Sequence, residues 1–333
     1  MLFLDRQDVS ALLPIADCIA AVEKAFAAHA TRVLPAVPGV LGAHLADGGF
    51  HVKTAALGPD PGYYAAKINA NFPANPERHG LPAIQGMIGL FDASNGRPLA
   101  LLDSIEITIL RTAAASTIAA RHLARADAAI LPICGCGTQG RAHLRALKHV
   151  RRIQRVLAFD RDPARVQQFI REMTPETHVE IEPAGDLTSA VRASDICVTC
   201  TPARAPFIGV NDVRAGQFIA AVGADSEDKQ ELDPEVLRRS RVVVDLLSQA
   251  ATIGELHHAI EAGLMKVTDV HAELGQLITA QRPGRTAADE TFVFDSTGTA
   301  LQDVAAAATV YERALQTSRG RELALAGGGD DVP

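Results

Sequence analysis

Two lysines stand where lysines are costly. Lys53, in "GGFHVKTAALG", and Lys67, in "YYAAKINANFP", each lie in a run of β-compatible and small residues with no acidic neighbour beside them. A buried ammonium without a partner is expensive, so a carboxylate from elsewhere in the fold, or a ligand, must neutralise each one. A second constellation has the spacing of a phosphate cradle. The stretch "ILPICGCGTQGRAHLRAL" carries Gly135-x-Gly137-x-x-Gly140 after a predicted strand and at the start of a predicted helix. In that context Gly135 makes the tight turn, Gly137 admits a pyrophosphate and Gly140 lets helix pack on strand. The helix N-terminus adds free N–H groups and a partial positive charge. Asp160, twenty residues beyond Gly140, ends the next predicted strand, "RVLAFD". A carboxylate there accepts the ribose hydroxyls and repels a 2′-phosphate, which favours NAD; Arg161 and Arg165 follow closely and keep NADP possible. Thr138, Gln139, Thr201, Val222 and Ser296 are further candidate cofactor contacts.

These residues need a scaffold. Residues 10–31 read as one amphipathic helix, with Ile15, Ile19, Val22 and Phe26 at helical spacing and Ser10 and Asp17 as candidate N-caps. From about 33 to 102 short strands alternate with the turns "DGG", "GPDPG" and "ASNGRP", as in an antiparallel meander. Ser104–Arg125 is free of Gly and Pro and reads as a helix. From about 126 to 295 strands and helices alternate, the pattern of a doubly wound parallel sheet. A last helix covers "GTALQDVAAAATVYERALQ", and "GGGDDVP" reads as a disordered tail.

Composition bounds the partners. The chain has 333 residues, 47% of them hydrophobic and 21% charged, which suits a soluble globular protein of two domains. A net charge of −7, with no Lys/Arg run of five, argues against nucleic acid and anionic membranes. No apolar run reaches membrane-spanning length, and the N-terminus lacks the basic start of a signal peptide, so a cytoplasmic location is expected. The five cysteines include C-x-C at 134–136 and C-x-x-C at 197–200; in strands they read as small hydrophobes, and no metal is expected.

Taken together, "KINANFP", "RTAAAS", "GCGTQGRAH", "AVGADSEDKQEL" and "FDSTGTALQDVAAA" resemble the ornithine cyclodeaminase / mu-crystallin family, from the first helix to about residue 315. The resemblance implies an α/β fold: a Rossmann domain (125–299) inserted into an α+β substrate and dimerisation domain (1–124 plus 300–333), in a homodimer. It implies that Lys67 and Arg111 bind a substrate α-carboxylate, Arg111 bidentately, and that Asp225 is the acid/base, with Lys67 also in the catalytic set. A carboxyl in a closed, partly desolvated pocket holds its proton longer, which suits Asp225 as an acid. Ser226 and Lys229 read as loop residues. The chain departs from the cyclodeaminase pattern at Val40, where an arginine is usual, at His51, where a glutamate is usual, and at Ala83, where a threonine is usual. Lys53, on the face of His51, can replace the missing arginine's charge. Loss of an acid near the substrate amine argues against ornithine. The expected activity is NAD(P)H-dependent reduction of a cyclic imino acid, Δ1-pyrroline-2-carboxylate or Δ1-piperideine-2-carboxylate, to L-proline or L-pipecolate. The alternatives are ornithine cyclodeaminase, an alanine dehydrogenase-like enzyme and a mu-crystallin-like nucleotide-dependent binding protein; the retained Asp225 argues against the last.

Overall fold

The computed structural model describes residues 1–31, 39–58 and 62–325. The expected tail "GGGDDVP" lies outside them. The chain divides into two compact units, Met1–Arg111 with Thr299–Pro333, and Thr112–Gly298. The division falls inside a helix, between the arginine and threonine of "RTAAAS", rather than at that helix's end.

Unit 1 begins with β1 (Leu2–Leu4), α1 (Arg6–Leu12) and α2 (Ile15–Ala30). The single long helix expected from residue 10 is thus two. Asp5 caps α1 by accepting from the Gln7 and Asp8 N–H groups, which places Ser10 inside that helix. Pro14 then restarts the chain as α2, and Asp17, in its first turn, pairs with Arg313 rather than capping. The strands β2 (Gly39–Leu45), β3 (Gly48–Leu57), β4 (Tyr63–Asn71), β5 (Ile84–Asp92) and β6 (Pro98–Asp103) pair in sequence order as an antiparallel meander, with α3 (Asn75–His79) between β4 and β5. α4 (Ser104–Leu123) follows, capped by the Asp103 carboxylate on the N–H groups of Ile105 and Glu106.

Register assigns the two faces of this sheet. One row runs Lys53, Lys67, Ile88, Leu102, Leu4 across β3, β4, β5, β6 and β1. Ile88, Leu102 and Leu4 of that row are buried, as are Ala55, Ala65 and Leu90 of the next. The opposite face carries Leu41, Val52, Ile68 and Met87 in one row, and there Ile68 is 42% and Met87 49% exposed.

Unit 2 is an eight-stranded sheet with every pairing parallel. Its strands are β7 (Ile130–Cys134), β8 (Arg155–Phe159), β9 (Glu180–Pro183), β10 (Ile196–Thr199), β12 (Phe218–Ala221), β14 (Arg241–Val244), β15 (Ala272–Glu273) and β16 (Phe292–Asp295), in the order β15-β14-β16-β12-β10-β7-β8-β9. A separate pair, β11 (Arg204–Ile208) and β13 (Gln230–Leu232), is an addition that alternation did not reveal. Helices α5 (Thr138–Leu147), α6 (Pro163–Thr177), α7 (Leu187–Ala193), α8 (Pro234–Arg238), α9 (Leu247–Ala250), α10 (Glu255–Glu261) and α11 (Leu274–Ile278) connect the strands. The chain then re-enters unit 1 through α12 (Ala300–Thr317), which packs on α2, β3 and β4, and ends in β17 (Arg321–Glu322) beside β1. Among the described residues no helix is long and apolar enough to cross a membrane.

Asp195 fixes where β7 starts. Its Oδ2 accepts from the Ala129 and Ile130 N–H groups at 2.9 and 3.0 Å, and its Oδ1 meets Arg125 at 2.6 Å and Arg214 at 3.0 Å. Burial pushes this carboxyl up, but the two N–H groups and two guanidinium groups outweigh it and hold it below its ordinary range. Asp195→Ala should cost about 2 kcal/mol of unfolding free energy at pH 7, because it leaves the Ala129 and Ile130 N–H groups without their acceptor and takes one partner from each of Arg125 and Arg214. A depressed carboxyl stabilises above its unfolded value and loses that contribution as pH falls, so the deficit should shrink below roughly pH 4. Urea unfolding of both proteins at pH 7 and pH 3.5 measures this; an equal deficit at both would show that charge is not the cause.

Candidate active site

In unit 1 the two expected cations of the carboxylate clamp meet over a third residue. Lys67 leans from β4, and its Nζ lies 2.7 Å from Asp303 Oδ2 on α12. Arg111 comes from α4, with Nε 3.1 Å from the other Asp303 oxygen and Nη1 donating to Gln302 Oε1 at 2.8 Å. Thr108, one turn before Arg111, stands 3.5 Å from Lys67 Nζ. Lys67 is 3% exposed, Arg111 5% and Asp303 1%. Arg111 therefore pairs with Asp303, and Lys67 does not reach the surface.

Asp303 is a carboxylate from elsewhere in the fold, one of the two kinds of counter-ion that the sequence called for at Lys67, although the sequence did not point to this residue. It was missed because it sits mid-run in "ALQDVAAAA", where helical periodicity alone hides a charge. The reasoning applied to Lys67, that a charge on a buried face needs a partner, would have found it. Among the ion pairs of the described residues, two cations, Lys67 and Arg111, meet the one anion Asp303. Burial, helped by Arg111 and Lys53, pushes the Lys67 ammonium down to about 7 against the pull of Asp303. The carboxyl of Asp303 is driven up by burial but held below its ordinary range by Lys67 and Arg111. The carboxylate is thus ionised, and the surplus positive charge is the unstable member of the trio.

Lys53 is the register partner of Lys67 on β3, and His51 shares its face two residues earlier. His51 packs edge-on against His44, ring centroids 6.1 Å apart. On the same face Asn69 Oδ1 accepts from Ser104 Oγ at 2.6 Å.

Unit 2 carries the Gly-rich turn between β7 and α5. Gly135 adopts φ +108°, and a Cβ there would lie 2.7 Å from the Cys200 carbonyl oxygen. A Cβ on Gly140 would lie 2.3 Å from the Gly135 carbonyl oxygen. At Gly137 a Cβ would meet no atom within 4 Å, so its smallness serves nothing in the protein itself. Two buried side-chain oxygens nearby in the chain's cofactor set, Gln139 Oε1 and Ser296 Oγ, have no hydrogen-bond partner. An open glycine cradle and unpaired buried oxygens fit a dinucleotide with its pyrophosphate at Gly137 and Thr138. Asp160 follows β8 and accepts from the Cys136 N–H at 2.9 Å, so it also braces the turn; Arg161 beside it is exposed. Thr201 donates through N and Oγ1 to the buried Glu231, at 2.6 and 2.7 Å, and Glu231 takes the Gly223 N–H at 2.8 Å. Val222 is held by its N–H on the Thr199 carbonyl at 2.8 Å.

Several supporting groups escaped the sequence reading. Glu231 ties the ends of β10 and β12 together, and Glu255 accepts from the N–H groups of Glu231 and Leu232. Burial raises both carboxyls. His143 is buried between the Gln139 carbonyl, 2.8 Å from Nδ1, and Ser116 Oγ, 3.0 Å from Nε2. Burial pushes its imidazole down to about 4, so it is neutral and ties α5 to α4. Cys134, Cys136 and Cys197 are buried free thiols.

Asp225 follows β12, as expected, but its setting within unit 2 differs from the desolvated pocket anticipated. Its side chain is 55% exposed and pairs with Lys229 Nζ at 2.5 Å. Lys229 is therefore more than a loop residue: its carbonyl is held by His258 Nε2 at 2.8 Å, which fixes the ammonium beside Asp225. Ser226 Oγ donates to Asp228.

A parallel sheet with this turn, inserted in an antiparallel-sheet unit with a buried cationic cluster, defines a Rossmann-type dinucleotide-binding architecture. The comparisons narrow the class. The chain matches the ornithine cyclodeaminase/mu-crystallin family over residues 1–318 and belongs to it. An archaeal alanine dehydrogenase dimer with bound NAD is 35% identical, with TM-score 0.93 over 98% of this chain and 99% of that one. The Δ1-pyrroline-2-carboxylate reductase of Thermococcus litoralis, in complex with NADH and L-proline, is 32% identical, with TM-score 0.92 over 97% of this chain and 100% of that one. The iminosuccinate reductase of Paracoccus denitrificans, in complex with NAD+, is 30% identical, with TM-score 0.90 over 98% and 99%.

The glycines separate binding from folding. Gly137→Ala should leave the melting temperature within about 2 °C of wild type, since no protein atom lies within 4 Å of the added methyl, and weaken NADH by roughly tenfold or more if the turn cradles its pyrophosphate. Gly140→Ala should instead lower the melting temperature by several degrees, because the added methyl meets backbone. Thermal melts and NADH fluorescence titrations of both variants check this; an unchanged NADH affinity in Gly137→Ala would remove the turn from the cofactor site.

Proposed function

We propose that this protein is an NAD(H)-dependent oxidoreductase of amino and imino acids that reduces a cyclic ketimine carboxylate to the corresponding L-amino acid. The observation that carries the reading is the buried Lys67–Asp303–Arg111 cluster with one positive charge in surplus. A carboxylate entering beside Lys67 and Arg111 turns two cations and one anion into a balanced set, and Arg111 can meet it with two parallel N–H bonds. NAD(H), held by the turn from Gly135 to Gly140, by Asp160 and by the strand ends at Thr201, Val222 and Ser296, supplies the hydride for C2. Asp225, more than half exposed and so able to regain its proton from solvent, delivers the proton that the imine nitrogen needs. His51 in place of an acid leaves no carboxylate for a second substrate amine, which weighs against a diamine substrate. The alanine dehydrogenase neighbour keeps an open-chain amino acid as the second reading.

A panel of Δ1-pyrroline-2-carboxylate, Δ1-piperideine-2-carboxylate, iminosuccinate, alanine and ornithine, followed by NADH absorbance, decides between these. The ketimines should turn over fastest. Arg111→Ala, which leaves Lys67 and Asp303 as a neutral pair, should cost roughly 10²-fold in kcat/KM through KM. Asp225→Asn should cost about 10²–10⁴-fold in kcat with NADH binding intact. Wild-type inactivity on the ketimines, with alanine oxidised, would move the assignment to the second reading.

The exposed apolar row of unit 1 belongs, in this reading, to a homodimer. Leu41, Ile68 and Met87 lie in one register row and Tyr64 on the same face, all of them exposed. An apolar sheet face of this kind calls for a covering partner, and the alanine dehydrogenase neighbour is itself a dimer. The double variant Ile68→Lys/Met87→Lys should elute as a monomer in size-exclusion chromatography with light scattering; a dimer of unchanged mass would place the interface elsewhere.

A further inference from the structure

Three elements are indexed against one carboxylate. Asp303 reaches Lys67 of β4 with one oxygen, at 2.7 Å, and Arg111 of α4 with the other, at 3.1 Å. It stands in the first turn of α12, where the free N–H groups of a helix favour an anion. Its neighbour Gln302 holds the Arg111 guanidinium at 2.8 Å. Neither Asp303 oxygen nor Arg111 Nε makes a well-aligned hydrogen bond. Charge therefore holds the trio, and its members can re-pair when an anion arrives.

We propose that Asp303 is the positioning residue of the carboxylate site: it sets Lys67 against Arg111 and governs how readily Lys67 keeps its proton, so that carboxylate binding is coupled to proton uptake at Lys67. The inference rests on the clamp reading of Lys67 and Arg111. Its chemistry follows from which group can yield. A guanidinium does not deprotonate in a protein, so the surplus charge can be shed only by the lysine. The groups acting on Lys67 are Arg111 from α4 and Lys53 from β3, which oppose its proton, and Asp303 from α12, which favours it. From α2, Cys18 feels both Arg111 and Asp303, but burial holds its thiol up at about 12 and it stays neutral. His51 lies on the same face of β3, and the Thr108 hydroxyl is 3.5 Å away. With burial pressing the ammonium down to about 7, the empty site sheds its proton as pH rises through that value. A bound carboxylate adds a second anion and restores it. Affinity is therefore full below about pH 7 and declines above it. Without the Asp303 charge, Lys67 sheds its proton at a lower pH, and the decline begins earlier.

Pyrrole-2-carboxylate is a suitable probe, being planar and having no basic nitrogen to titrate. Its binding to the full-length protein with NAD+ should be measured by calorimetry at pH 8 in two buffers of different ionisation enthalpy, and its Kd followed from pH 6 to pH 9. The wild type should take up most of one proton per site at pH 8. Lys67→Met should bind weakly and take up none. In Asp303→Asn the decline in affinity should start at least one pH unit lower, so that its Kd at pH 8 is about tenfold weaker than wild type. A folded Asp303→Asn with the wild-type pH profile and only a lower melting temperature would make Asp303 structural and overturn the proposal. If that variant does not fold, proton uptake by the wild type decides, and none at pH 8 overturns it equally. A wild type that binds no carboxylate in this test or in the substrate panel would instead bring down the clamp reading beneath it.

Discussion

An ammonium and a guanidinium sealed into one core need an anion between them, and this chain takes that anion from residue 303. Removing one partner of a buried ion pair typically costs about 3–5 kcal/mol, a large share of a domain's whole stability. The geometry of unit 1 follows from the need. β4 and α4 present Lys67 and Arg111 to a single point, and α12 must lie across β3 and β4 to bring Asp303 there. The apolar residues around the trio, Ile88, Leu90 and Leu102 on the sheet, exclude water and so raise the stakes of the charge balance.

Unit 2 solves a related problem with carboxylates in place of cations. The ends of its parallel strands carry backbone N–H groups with no strand to pair with, and buried acids take them. Glu231 gathers those of Thr201 and Gly223 and Glu255 those of Glu231 and Leu232, while Asp295 takes the Leu256 N–H in the first turn of α10. Burial raises these groups, Asp295 to about 8. They shape the strand ends on which the cofactor candidates Thr201, Val222 and Ser296 sit, without themselves being candidates for contact.

Local pattern revealed what local physics decides. The meander was legible because one face of β3 to β6 is buried and a period of two follows, and the Gly-rich turn because its glycines answer to φ and close packing. The break between α1 and α2 turned on whether Pro14 ended a helix or opened one, a choice made by Asp5 upstream. β1 is three residues long and β17 two, and each exists only through neighbours distant in sequence, β1 beside β6 and β17 beside β1, so no window of sequence contains them. Asp303 is the instructive omission. Lys67 advertised itself by being a charge among β-formers, whereas an aspartate in an alanine-rich helix looks like an ordinary polar face until its helix is known to be buried. Lys229 had a signal too, standing four residues after Asp225, although the turn between them is not helical.

The long loop that Asp303 closes has a bearing on how the protein is made. Gln302 and Arg111 touch across 191 residues of sequence, and everything in that interval except its two ends belongs to the inserted unit. On a ribosome the inserted unit emerges whole and can fold while its host is still missing a helix. The host meanwhile carries Lys67 on its sheet and Arg111 on α4, both destined for burial, without the Asp303 carboxylate that joins them. Completion of the host is therefore deferred until α12 has been made. The order of assembly runs from the inside of the sequence outward, and the unit with the Gly-rich turn can be finished before the unit that holds Asp303.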